Sequence, residues 1–66
     1  MKIALNGEER EVAPATSLLE LLEATGHAQR RIAVEVNREI VPRSRYAEHV
    51  LAQDDRIEIV HAIGGG

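Results

Sequence analysis

Gly64, Gly65 and Gly66 close the 66-residue sequence, directly after a run that alternates as a β-strand, Arg56-Ile57-Glu58-Ile59-Val60-His61. Glycine brings no side chain to a core and loses the most entropy on ordering, so three in succession after a strand pack against nothing. From Ala62 to Gly66 an extended arm reaches roughly 16 to 18 Å beyond the sheet, at about 3.3 to 3.6 Å per residue. Lacking Cβ atoms, Gly65 and Gly66 fit a channel no wider than a backbone, where a partner's active site can enclose them. The reactive group of such an arm is the carboxylate of Gly66. It is ionised at neutral pH and therefore a poor acyl electrophile, so an external agent has to activate it. The glycines do not read as a phosphate-binding loop, because no helix follows them. Composition alone leaves a second reading open, an inert terminal tail.

The other residues capable of chemistry are dispersed. The chain has no cysteine, hence no disulfide, thiolate metal site or thiol nucleophile of its own. His27, His49 and His61 lack the spacing of metal ligands, and no metal site is expected. Glu20 and Glu23 belong to a helix start and its polar face, not to a catalytic carboxylate pair. Lys2, the only lysine, reads as a solvated strand residue, and Tyr46, the only aromatic, as a core or loop anchor.

The arm needs a scaffold, and the rest of the sequence supplies one. Met1, Ile3 and Leu5 alternate with Lys2, Ala4 and Asn6, and Asn6-Gly7 provides the positive φ angles of a tight hairpin. A second strand is expected over about Arg10 to Ala13 with Val12 inward, ended by Pro14. Ser17 and Glu20 form the reciprocal capping box that opens a helix, Leu18, Leu19, Leu21 and Leu22 recur at helical spacing, and Gly26 offers a left-handed stop. That predicts a helix over Leu18 to Thr25. Ile32, Val34 and Val36 alternate as a strand, and Asn37-Arg38-Glu39 turns into a short strand at Ile40-Val41 that Pro42 ends. Between Arg43 and Gln53 the apolar anchors Tyr46, Val50 and Leu51 suggest a helical turn followed by a loop. Asp54-Asp55 makes a polar turn. The last strand turns Ile57 and Ile59 inward, and its simplest place is parallel to the first, in the middle of the sheet.

These elements amount to a two-layer α+β fold, a mixed sheet packed on one main helix around one core. At this size folding removes only roughly 60% of the unfolded surface, too little for an enzyme with a deep active site. Eight Lys and Arg against eleven Asp and Glu give a net charge of -3 with the basic residues scattered, which disfavours nucleic acid. No apolar run is long enough to span a bilayer, and the first residues lack a secretory signal, so no membrane association and a cytoplasmic location are expected. Two units are expected: residues 1-61 as the folded domain and 62-66 as a flexible reactive tail. On the outward sheet face, Ala4, Ala33, Val41 and Val60 are candidate docking residues, with Arg43 and Arg45 along the same edge able to meet acidic partner groups.

The whole sequence resembles the ThiS family of sulfur carriers, which are β-grasp, ubiquitin-like proteins related also to MoaD. The likeness rests on the strand ending in Asn6-Gly7, the helix start Ser17-Leu18-Leu19-Glu20-Leu21-Leu22, Ile32-Ala33-Val34-Glu35-Val36-Asn37 with Ile40-Val41-Pro42-Arg43, Asp55-Arg56-Ile57-Glu58-Ile59-Val60, and Gly64-Gly65-Gly66. One departure is the turn before the last strand, Gln53-Asp54-Asp55, where such proteins commonly have Asp-Gly-Asp, so Asp54 in the glycine's place is expected in a left-handed conformation. The resemblance implies a carrier, not an enzyme, serving thiamine (thiazole) biosynthesis. A ThiF-like adenylating enzyme would use ATP and magnesium to convert Gly66 to an acyl adenylate, with Gly65 as its unhindered neighbour. Sulfur supplied by a cysteine desulfurase would then replace AMP, leaving a thiocarboxylate for a ThiG-like thiazole synthase. Gly64 and Ile63 would join the outward residues in binding partners, and the carrier itself would hold no cofactor. A carrier for molybdopterin synthesis and a ubiquitin-like binding or modifier module are the alternatives, the former disfavoured by the short length and the lack of Phe and Trp.

Overall fold

In the computed structural model, which describes residues 1-61, five strands and one α-helix follow each other as β1 (Lys2–Leu5), β2 (Glu8–Glu11), α1 (Leu18–Ala24), β3 (Ile32–Val36), β4 (Glu39–Val41) and β5 (Arg56–His61), with a 3-10 turn at Arg43–Arg45 before β5. The sheet order is β2-β1-β5-β3-β4. β5 lies between β1, to which it is parallel, and β3, to which it is antiparallel, in the central position expected from its aliphatic residues.

Local chemistry sets each boundary. Asn6 and Gly7 both take positive φ, 50° and 84°, the geometry of a two-residue turn whose twist matches a right-handed hairpin. So tight a turn obliges pairing to resume at once, with Leu5 opposite Glu8 and Lys2 opposite Glu11. The second strand therefore runs Glu8–Glu11, earlier than the expected Arg10 to Ala13, and Val12 follows it, half-buried against the core. All four residues of β2 are exposed, and three are glutamates; a charged edge of this kind resists pairing with another chain. Asn37 and Arg38, at φ 52° and 69°, make a second two-residue turn, which brings Glu39 opposite Val36 and adds it to β4.

The helix begins as its sequence dictates. Glu20 N–H donates to Ser17 Oγ at 3.1 Å while Ser17 N–H donates to the Glu20 carboxylate at 2.8 Å, satisfying two otherwise orphaned donors. It ends at Ala24 with Thr25 as the cap. The N–H of Gly26, at φ 80°, donates to the Glu23 carbonyl and that of His27 to Leu22, the paired closure in which a left-handed residue stops a helix.

Leu18, Leu21 and Leu22 of α1 pack onto Ile3, Val34, Val36, Val41, Ile57 and Ile59 of the sheet. Tyr46 and Leu51 close the end of this core, as expected, but Val50 is 58% exposed and is no anchor. Consecutive residues in its extended stretch point to opposite sides, so burial of Leu51 turns Val50 outward. Asp54 adopts the left-handed conformation at φ 70°, with its N–H held by the Lys2 carbonyl at 2.7 Å.

Candidate functional site

Strand alternation divides β5 into two faces. Ile57 and Ile59 are buried beneath α1, so Glu58 and Val60 project from the opposite, uncovered face of the sheet. Val60 is 61% exposed and stands directly opposite Ala33 of β3, which is also exposed. Ala4 of β1, next to buried Ile3, turns to the same face and is half-buried. These three candidates therefore share one surface.

Val41 does not belong to it. It pairs with buried Val34 and is itself only 8% exposed, part of the core. The turn at Asn37-Arg38 sets the register so that Ile40, opposite Glu35, is the outward residue, and at 72% it is the most exposed large apolar side chain among the described residues. The sequence signal for Ile40 was available: in a strand of period two, one of Ile40 and Val41 had to face away from the core, and the two-residue turn decides which.

The face is graded. Ala33 and Val60 form an apolar row at the His61 end of β5, while Glu35, Arg38, Arg56 and Glu58 gather toward the other end. Arg43 donates from its guanidinium to the Arg30 carbonyl at 2.7 Å, which ties the turn after β4 to the segment before β3. Arg45 lies beside Ile40, Val41, Pro42 and Glu48 in an open groove along the β4 edge.

Gly66, Gly65, Gly64 and Ile63 lie outside the described residues. What the structure fixes is the root from which they continue: His61 is paired with Ile32 in the fully formed β3–β5 ladder. Among the described residues, no cluster of three His, Cys, Asp or Glu is placed to hold a metal ion, and no helix is long and apolar enough to cross a membrane. His27 and His61, far apart in sequence, are brought together, their ring centres 5.5 Å apart, a proximity that linear spacing could not show.

A sheet ordered β2-β1-β5-β3-β4 grasping one helix is that of the ubiquitin-like β-grasp class. The ThiS family model matches residues 3–66, and the chain belongs to the ThiS family. The crystal structure of a thiamine biosynthesis protein (ThiS) from Geobacter metallireducens superimposes with a TM-score of 0.87 at 30% identity, covering all of both chains. Sulfur carrier protein ThiS of Escherichia coli is 33% identical over 66 residues, again across the whole of both chains. A thiazole synthase of Magnetococcus marinus is 48% identical over the same 66 residues, and this chain spans 20% of that protein's length.

Proposed function

We propose that this chain is a sulfur carrier of thiamine biosynthesis that presents Gly66 as its acyl carrier and is consumed and regenerated as a co-substrate. The observation that carries the reading is the end-to-end correspondence with the E. coli sulfur carrier, glycine arm included. A carboxylate must gain a leaving group before a sulfur nucleophile can displace it. In the chemistry required, an oxygen of the Gly66 carboxylate attacks the α-phosphorus of ATP, and pyrophosphate leaves. The outer sulfur of a persulfide then attacks the acyl carbon, forming a C–S bond as AMP departs. Attack by a second thiol on the resulting S–S bond leaves the sulfur on Gly66 as a thiocarboxylate and the donor thiol in a disulfide. This assigns the activation to a ThiF-like enzyme with ATP and magnesium, and the persulfide to a cysteine desulfurase. The carrier contributes no catalytic side chain and needs no cofactor.

The acceptor in this reading is a ThiG-like thiazole synthase. Supporting it, the Magnetococcus thiazole synthase includes within its own length a segment akin to this entire chain, which puts carrier and synthase in one polypeptide. Ala4, Ala33, Ile40 and Val60 would form the apolar docking face, with Gly64 and Ile63 entering the partner alongside Gly65 and Gly66. Exposed side chains on a sheet whose core is intact can be buried against a partner without rearrangement of the carrier.

The test is reconstitution. The chain, a ThiF-like enzyme, ATP, magnesium, a desulfurase with cysteine and thiazole synthase with its other substrates should yield the thiazole, dependent on the carrier. No thiazole from a mixture that works with the E. coli carrier, together with molybdopterin formation in the parallel assay, would reassign the pathway.

A further inference from the structure

From the meeting of His27 and His61 beside the capped end of α1, we infer a two-histidine site for a borderline divalent transition-metal ion, Zn(II), Ni(II) or Cu(II), at the root of the arm. His27 is fixed in place as the residue after Gly26 in the helix closure, its backbone N–H bonded to the Leu22 carbonyl at 2.8 Å. Its ring is fixed too. The Thr25 hydroxyl donates to the Leu21 carbonyl at 2.9 Å, with Leu22 at 3.3 Å, and lies 2.8 Å from His27 Nδ1. A hydroxyl has one proton, and the helix carbonyls take it, so Thr25 Oγ1 accepts from His27 Nδ1–H. In the neutral imidazole this places the ring proton on Nδ1 and leaves Nε2 with its lone pair. Metal-ligating histidines are oriented in the same way, one ring nitrogen donating to a protein oxygen while the other binds.

His61 supplies the second imidazole. It follows outward Val60 on β5 and so returns to the helix side of the sheet, where its ring sits 5.5 Å from that of His27, tilted by 46°. With metal–nitrogen bonds of about 2.0 to 2.1 Å and ring centres about 1.1 Å behind the nitrogens, two imidazoles on one tetrahedral ion have centres roughly 5 Å apart. The observed separation is within a side-chain adjustment of that value. Imidazole nitrogen suits Zn, Ni and Cu, whereas Mg and Ca prefer oxygen. Water would complete the coordination of an ion held there. This site stands independently of the sulfur-carrier reading, since it uses neither Gly66 nor the outer sheet face.

The probe is zinc chloride, titrated calorimetrically into the full chain while the histidine ring signals are followed by NMR. One ion per chain should bind, shifting His27 and His61 together and leaving His49 in place. His27→Ala and His61→Ala should each weaken binding at least tenfold, and His49→Ala should not. Thr25→Val should weaken it by about tenfold to a hundredfold, the usual effect of losing the oxygen that orients a ligating histidine, and Thr25→Ser should restore it. Circular dichroism of each variant reports whether the fold persists. Zinc binding unmoved by both histidine substitutions, loss confined to only one of them, or no binding by the folded chain would overturn the site.

Discussion

The side-chain carbonyl of Asn6 accepts the backbone N–H of Ile59 at 2.7 Å, joining residues 53 positions apart in sequence. The parallel ladder of β1 and β5 reaches its last backbone bond where Asn6 N–H donates to Ile57 at 2.8 Å, and the Asn6 side chain then takes the next donor of β5. One residue thus turns the hairpin, through its φ of 50°, and extends the pairing of the strand that bears the arm. Asn6→Gly keeps the turn and removes the acceptor, so it should cost about 1 to 3 kcal/mol, the penalty for a part-buried donor left unmade. Asn6→Asp, which retains the oxygen, should lose less. Urea denaturation of the two variants checks the order.

Asn37 and Asp55 perform a related task between β3 and β5. Asn37 donates from Nδ2 to Asp55 Oδ1 at 2.9 Å and accepts the Arg56 N–H at 2.9 Å, while Asp55 Oδ2 takes the Ala52 N–H at 2.8 Å. Asp55→Ala leaves two donors unpartnered at once and should destabilise by about 2 to 6 kcal/mol at roughly 1 to 3 per group. Asp55→Asn keeps one acceptor and should fall between the variant and the parent in a thermal melt.

Leu22, fully buried at the centre of α1, tests the core. Leu22→Ala should cost about 2 to 5 kcal/mol, the sum of lost burial and the cavity left behind. Ser17→Ala, which removes only the cap, should cost about 0.5 to 2 kcal/mol. Chemical denaturation of both variants should separate the two magnitudes.

The outer sheet face makes the opposite prediction. Val60 makes no contribution to the core, so Val60→Asp should leave the melting temperature nearly unchanged while reducing sulfur transfer at least tenfold by placing a charge in the proposed docking surface. Val41→Asp should instead unfold the chain, because Val41 faces inward. Melting curves and a transfer assay on the same samples distinguish the inward valine of β4 from the outward valine of β5.

The sequence made the hairpin turn, the capped helix, the glycine stop and the central last strand legible because each rests on local chemistry or on period two. It failed where the number of residues in a turn decides the result. The start of β2 at Glu8 follows from turn length, and the inward choice of Val41 over Ile40 follows from register, both set by Asn37, Arg38, Asn6 and Gly7 together with the strands they pair. Long-range meetings left no trace in spacing. His27 with His61, Asn6 with Ile59 and Arg43 with Arg30 arise only when the sheet closes on the helix.

Sulfur loading of Gly66 can be read directly by intact mass spectrometry of the chain after incubation with an adenylating enzyme, ATP, magnesium and a persulfide donor, followed by fragmentation. The chain should gain the mass expected for one oxygen replaced by sulfur, confined to the fragment containing Gly66 and absent when that residue is deleted. An unaltered mass under conditions that convert a control carrier, or sulfur located anywhere else in the chain, would contradict it.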